Sequence, residues 1–277
     1  MNDSVQKLSG TMHSMSVITL LTDFGTADYF VGAVKGVILS LNPQARIVDL
    51  THEIAAQDIE AAAFTLFAAY KSFPKGTVHV AVVDPGVGST RRGIVVAAGE
   101  QLFVGPDNGI FSYIYERESK FKIYELTNAD FFREEVSPTF HGRDIFAPVA
   151  AALSNGVKVV ELGAEASDPV RLPPLSTERR GSQLLARIIH IDRFGNCVTN
   201  ITSEVLTQKM IDAGAVLISK RKTIRSFRKF YEEETAAPEK VFCIWGSAGF
   251  LEIAAVNSSA AKLLGAERGD RVIVRRS

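Results

Sequence analysis

Hydrophobic positions in residues 16–22 (SVITLLT) run without a break and stop at Asp23, the pattern of a buried strand with a polar end. Residues 29–41 then carry apolar side chains at helical spacing until Asn42-Pro43 halts them. The rhythm repeats, with a strand over 46–50, an alanine-rich amphipathic helix over 58–73 ended by Pro74, and a buried strand over 77–83. This alternation predicts an α/β layer architecture with parallel strands. After Gly93 the elements shorten to strands over 94–98 and 101–104, a helix over 110–117 and a strand over 121–125, so a mostly parallel but mixed sheet is expected. A further helix is predicted over 143–153, closed by Asn155-Gly156.

Pro169, Pro173 and Pro174 among polar residues can continue neither a helix nor a central strand. A linker over 171–181 is therefore expected between an N-terminal α/β domain (16–170) and a C-terminal domain (182–277). The second domain reads as short strands at close spacing over 184–191, 197–201, 215–219, 241–245, 250–254 and 271–274, which predicts a small all-β barrel or sandwich. Residues 1–15 are polar and patternless and read as a tail, with Met15 as an alternative start.

Composition narrows the class. In 277 residues, 46% are hydrophobic, enough for a true core, and two cysteines, Cys197 and Cys243, make no disulfide scaffold. Both sit in strand patterns and are expected to be buried thiols. Lysine plus arginine number 31, as do aspartate plus glutamate, so no global positive field favours nucleic acid or an anionic membrane as a partner. Six basic residues over 220–229 are followed by Glu232, Glu233 and Glu234, and the cancelling charge predicts a solvated hairpin. No stretch is apolar for long enough to span a bilayer and residues 1–15 do not resemble a secretory signal, so a cytoplasmic location is expected.

Ligands of open α/β sheets bind beyond the carboxyl ends of the strands. Asp23, Asp49 and Asp84 stand at three such ends. One aspartate there is as readily a turn former as a functional group; three on converging loops favour a polar site. The loop from Asp84 to Arg91 (DPGVGSTR) lacks the spacing of a phosphate loop, but its glycines can turn the backbone tightly while Arg91 returns toward Asp84 as a fixed cation. Of five histidines, His13 lies in the tail, His79 and His190 in strand patterns, and His52 and His141 in loops. His52-Glu53 begins like H-E-x-x-H, but Ala56 holds the last position. His141, in a loop feeding a helix, is the candidate for chemistry. Asp23, Asp84 and His141 could hold a metal in principle, yet no close pair such as H-x-H supports one, and none is expected.

Two constellations stand out in the second domain. Asp192, Phe194 and Asn196 combine a ring that can stack on a base with an amide able to pair in two-point fashion with adenine. Ser247 and Glu252, around a glycine turn, offer the groups that grip a zwitterionic amino acid. Taken alone, each is more often a β-turn.

The run LTDFG, FVGAVKG, VVDPGVGSTRRG, GPDNG, TFHGRD, IDRFGN with TNI, and GSAGFLEIA resembles, in order and over residues 17–274, the S-adenosyl-L-methionine hydroxide adenosyltransferases, relatives of the fluorinase and chlorinase. The resemblance implies hydrolysis of S-adenosyl-L-methionine to adenosine and L-methionine without metal or cofactor. It also implies a homotrimer whose active sites lie between the N-terminal domain of one subunit and the barrel of its neighbour. It places a water-handling triad on Asp84, Arg91 and His141; from their chemistry, His141 and Asp84 are expected to share the proton of water while Arg91 stabilises the developing hydroxide. Asp23 is implied for the ribose hydroxyls, Phe194 and Asn196 for adenine, and Asp192, Ser247 and Glu252 for the methionine end. Asn108 falls in the GPDNG loop, expected to line the pocket. The fluorinase branch has Tyr and Ser where this chain has His141 and Gly142, which argues for water over halide. The competing readings are a halide-using adenosyl transferase, a non-catalytic adenosine or S-adenosyl-L-methionine binding module, and a metal-dependent phosphoesterase.

Overall fold

The computed structural model describes residues 17–233 and 240–276, so the tail expected over 1–15 lies outside the described residues. The chain divides into two compact units between Leu172 and Pro173.

The first unit runs β1 (Val17–Thr22), α1 (Phe30–Leu41), β2 (Arg46–Thr51), α2 (Ile59–Ala69), β3 (Val78–Val82), β4 (Gly93–Ala98), β5 (Gln101–Pro106), α3 (Ser112–Arg117), β6 (Phe121–Glu125), α4 (Ala147–Ser154) and β7 (Glu165–Ala166). Its sheet has the order β2-β1-β3-β5-β4-β6-β7. The first four neighbours are parallel and β4, β6 and β7 join antiparallel, so the mixed sheet is as expected. Successive residues of β1 face opposite sides. Leu20 joins Val34 and Ile38 of α1, Val80 and Val149 of α4, whereas Leu21 joins Leu66 of α2, Ala81, Phe103 and Ile114 of α3. Helices therefore cover both faces, which is why β1 and β3 read as unbroken apolar runs.

Two helix expectations need correcting. Helix 58–73 ends at Ala69 and finishes as a 3-10 turn over Tyr70–Ser72; its start is fixed by Asp58, whose Oδ1 accepts from the Ala61 amide at 3.0 Å. Helix 143–153 is a π turn over Gly142–Phe146 followed by α4, because Pro148 has no amide hydrogen and fits only the first turn of an α-helix. The wide turn has His141 at its head.

The second unit contains β8 (Glu178–Arg180), β9 (Gln183–Ile191), β10 (Cys197–Thr202), α5 (Gln208–Asp212), β11 (Ala215–Ser219), β12 (Lys222–Ile224), β13 (Phe227–Arg228), β14 (Val241–Trp245), β15 (Phe250–Ala255), α6 (Ala260–Leu264) and β16 (Arg271–Arg276). They form one strongly curled half-barrel in the order β12-β11-β16-β9-β10-β15-β14-β13, with β8 added along β9. Its core gathers Leu184, Ile188, Ile201, Leu217, Leu251, Ile253 and Val272 with Cys197 and Cys243. Neither cysteine is in a disulfide, both are buried, and burial pushes the Cys197 thiol up to about 12.

The basic segment is only in part the solvated hairpin expected. Lys220 and Arg221, both at positive φ, make the two-residue turn between β11 and β12. Beyond it, Phe227 and Arg228 pair with β14, and Arg228 is buried with its guanidinium 4.1 Å above the Phe242 ring. Apolar pairing on an existing strand outweighs the charge pattern there.

Candidate active site

The carboxyl ends of β1 and β3 open into a cavity of about 460 Å³, walled by Asp23, Phe24, Phe30, Gln57, Asp84, Phe140, His141 and neighbours. Three of the residues singled out from sequence are thus on one wall. Phe24, Phe30 and Phe140 make an aromatic side, their ring centroids 5.2 to 5.8 Å apart at tilted and edge-on angles.

Arg91 joins Asp84 to His141. Its Nε donates to Asp84 Oδ1 at 2.9 Å, its Nη2 donates to Asp84 Oδ2, and Nη2 also donates to His141 Nδ1 at 2.8 Å. Arg91 is not on the cavity wall; its guanidinium lies 5.3 Å from the Phe146 ring, which backs it. A guanidinium can only donate, so Nδ1 accepts and the single proton of the neutral imidazole sits on Nε2. Burial, then the charge of Arg91, hold the His141 pKa below its ordinary value.

The two loops that meet here are built for close approach. Gly88 has φ +78°, and a Cβ on it would come within 2.2 Å of the Pro138 carbonyl oxygen, so only glycine lets the Asp84–Arg91 loop lie against the His141 loop. Asp144 anchors the second loop, accepting from Arg143 Nε at 2.7 Å, Arg143 Nη2 at 2.9 Å and the Ser137 amide at 2.9 Å. Its burial alone would raise its pKa, and these bonds outweigh it and hold the carboxyl low.

Asp23 is presented by backbone that the sequence reading passed over. Its Oδ2 accepts from the Gln57 amide at 2.8 Å, with Gln57 at φ +67°. A backbone donor leaves no side-chain signature to read. Asn108, expected on the cavity wall, instead braces the turn: its Nδ2 donates to the Val83 carbonyl at 2.8 Å and its Oδ1 accepts from the Ile110 amide at 3.2 Å. One end of the amide ties the turn to Val83, next to Asp84, and the other closes the turn itself. Among the described residues, no group of three or more His, Cys, Asp or Glu is placed to hold a metal ion.

In the second unit, Phe194, Asn196 and Tyr231 line a cavity of about 590 Å³ with residues 257–259. Asp192 Oδ1 accepts from the amides of Phe194 and Asn196 at 2.9 and 2.8 Å, and its Oδ2 accepts from Asn196 Nδ2 at 2.9 Å. Asn196 Nδ2 also donates to the Tyr231 hydroxyl at 3.2 Å. Both amide hydrogens of Asn196 are therefore engaged within the protein, and Oδ1 is the atom left to accept from a base; the two-point pairing expected from sequence is not available in this arrangement. Phe194 is 78% exposed, its ring open for stacking. Tyr231 was missed because it lies in the charged segment.

Glu252 is half-buried, and burial, then the charge of Asp192, raise its pKa. A Cβ at Gly246 would come within 1.8 Å of Glu252 Oε1, so the glycine turn is what lets this carboxyl fold back. Ser247, on the same turn, is exposed.

With this geometry in view, the comparisons with known proteins are decisive. The SAM hydroxide adenosyltransferase N-terminal domain matches residues 18–163 and the C-terminal domain of the same family matches 186–273. The chain belongs to the SAM hydroxide adenosyltransferase family. It is 38% identical over 93% of its length to the (R)-S-adenosyl-L-methionine hydrolase of Methanocaldococcus jannaschii, covering 95% of that protein. It is more distantly similar to a fluorinase of Actinoplanes sp., 29% identical over 67% of this chain and 71% of that one. The crystal structure of an uncharacterized conserved protein from Thermotoga maritima superposes with a TM-score of 0.86 at 34% identity, over 94% of this chain and all of the other. Among the described residues of this family member, no helix is long and apolar enough to cross a membrane.

Proposed function

We propose that this chain hydrolyses S-adenosyl-L-methionine to adenosine and L-methionine. The observation that carries the reading is the single guanidinium of Arg91 holding Asp84 and His141 at one wall of the cavity, in a member of a family whose relative is named a hydrolase of this substrate. A sulfonium departs readily, so the protein has to align a water with C5′ and take its proton. Water oxygen forms the bond to C5′, the C5′–S bond breaks, and its electron pair stays on sulfur as the thioether of methionine. The proton passes to Asp84, whose oxygens keep lone pairs beyond those used by Arg91. His141, with Nδ1 committed to Arg91 and its proton on Nε2, orients the water rather than taking the proton, a sharper division than the shared role expected from sequence. Arg91, off the cavity wall, holds Asp84 and His141 in register for that proton transfer.

Asp23 takes the ribose hydroxyls through the oxygen that Gln57 leaves free. The adenine contacts of Phe194 and Asn196, and the methionine-end roles of Asp192, Ser247 and Glu252, rest on the family resemblance. So do a homotrimer in which a neighbouring subunit supplies them, a closed barrel, and a cytoplasmic setting. The name of the archaeal relative supports the R epimer at sulfur as substrate. His141-Gly142 in place of Tyr-Ser supports water over halide. No cofactor is required, because the leaving group is already activated in the substrate.

The test is turnover by purified variants. Asp84→Ala and His141→Ala are expected to lower kcat by about 10²- to 10⁴-fold. Parental rates in both variants would overturn the assignment.

A further inference from the structure

The reaction described above makes no use of His52, which is buried at the end of β2 and reaches across to β1. Its Nδ1 lies 2.8 Å from Thr22 Oγ1, and its Nε2 faces Asp49 Oδ1 at 3.1 Å, with Lys35 Nζ 2.6 Å from the other oxygen of Asp49. A carboxylate facing Nε2 favours the proton there, so Nδ1 accepts from the Thr22 hydroxyl. Thr22 Oγ1 in turn accepts from the Phe24 amide at 3.3 Å. The carbonyl of His52 accepts from the Gly25 amide at 2.8 Å. Thr22, Phe24 and Gly25 surround Asp23, and five residues past His52 the Gln57 amide holds Asp23 Oδ2.

We infer that His52 is a positioning residue for the site, fixing through Thr22 and its own carbonyl the direction in which Asp23 offers a carboxylate oxygen to a vicinal diol. This rests on the reading in which Asp23 takes the ribose hydroxyls. The physical reason is that a lone carboxylate on a loop rotates freely and discriminates poorly, whereas one held from both sides of its backbone meets two hydroxyls at a set distance. The His52–Thr22 contact ties that loop to the end of β2, with the Lys35–Asp49 ion pair beside the ring. None of these four side chains is on the cavity wall.

The experiment measures binding of adenosine and 2′-deoxyadenosine by calorimetry, and KM and kcat with S-adenosyl-L-methionine, for the full chain and for His52→Phe, His52→Asn and Thr22→Val. The parent is expected to favour adenosine by about 100-fold, the loss when a hydrogen bond between a hydroxyl and a carboxylate goes unmade. In His52→Phe and Thr22→Val that preference falls to about tenfold and KM rises about tenfold, while kcat stays within about twofold. His52→Asn, whose side chain can bond Thr22 from near the Nδ1 position, restores most of the preference. If His52→Phe does not fold, Thr22→Val, nearly equal in shape, decides the matter. Parental discrimination in a folded Thr22→Val or His52→Phe variant, or a fall in kcat with discrimination intact, overturns the inference. A parent that binds adenosine selectively yet releases none from the substrate would sink the hydrolase reading while leaving this test intact.

Discussion

Arg91 Nη2 donates to His141 Nδ1 over 2.8 Å while the same guanidinium grips both oxygens of Asp84, so one planar group joins three side chains from two loops. A lysine has a point charge and no planar fork, and cannot make these bonds together. Arg91→Lys is expected to fold as the parent does and to lose about 100-fold or more in kcat, read by adenosine release at saturating substrate. A loss below tenfold would show that charge alone suffices.

The tautomer of His141 has a pH consequence. Protonation would put a second hydrogen on Nδ1, facing the Arg91 guanidinium, and burial already disfavours the charged ring, so its pKa lies below the ordinary 6.5. The neutral form thus persists above pH 6.5 and is lost only as pH falls below it. The acid limb of kcat/KM is expected to have its midpoint under pH 6.5, with nitrogen-15 NMR showing the Nε2–H form of His141 at pH 7. A midpoint above 6.5 would contradict this.

Gly88 sets how closely the two catalytic loops meet. In Gly88→Ala the new methyl overlaps the Pro138 carbonyl, so the His141 loop must retreat by about 1 Å, a misplacement that costs on the order of 100-fold in turnover. Adenosine formation by the folded variant is the readout, with circular dichroism to confirm the fold. Parental activity would show that the loops tolerate separation.

Stability should also titrate. His79 is fully buried; Thr19 Oγ1 lies 2.7 Å from its Nδ1, and Nε2 donates to Gln101 Oε1 at 3.3 Å. Burial lowers its pKa to about 4 from 6.5. The unfolded chain binds the proton first, so the stability from keeping His79 neutral is complete above pH 6.5 and declines as pH falls toward 4. The fall amounts to about 3 kcal/mol. Urea unfolding of the parent and His79→Gln across this range should show a steeper fall in the parent, and equal slopes would refute the assignment.

The parallel core and the aspartates at its strand ends were legible because a strand buried on both faces is a plain apolar run, and its end is marked by the first polar residue. That logic put Asp23 and Asp84 at one opening, and the loop motifs added Arg91 and His141. Of the parts that were not legible, the Gln57 amide and the His52 carbonyl work through backbone and leave no side-chain signal, whereas the π turn below His141 follows from Pro148, a signal the apolar spacing over 143–153 overrode. Asn196 stands out for what its amide could do and Asn108 for its place in the GPDNG loop, yet the fold already uses Asn108 at both ends and both hydrogens of Asn196. Tyr231 was hidden by the charges around it.

The central claim is that water, held beside Asp84 and His141, displaces methionine from C5′. Its most direct test is chromatography of the products that the purified enzyme forms from each sulfonium epimer of S-adenosyl-L-methionine separately, with chloride present. Adenosine and L-methionine in equal amounts, formed faster from the R epimer, is the predicted result; 5′-chloro-5′-deoxyadenosine as the main product, or no adenosine from either epimer, would contradict it.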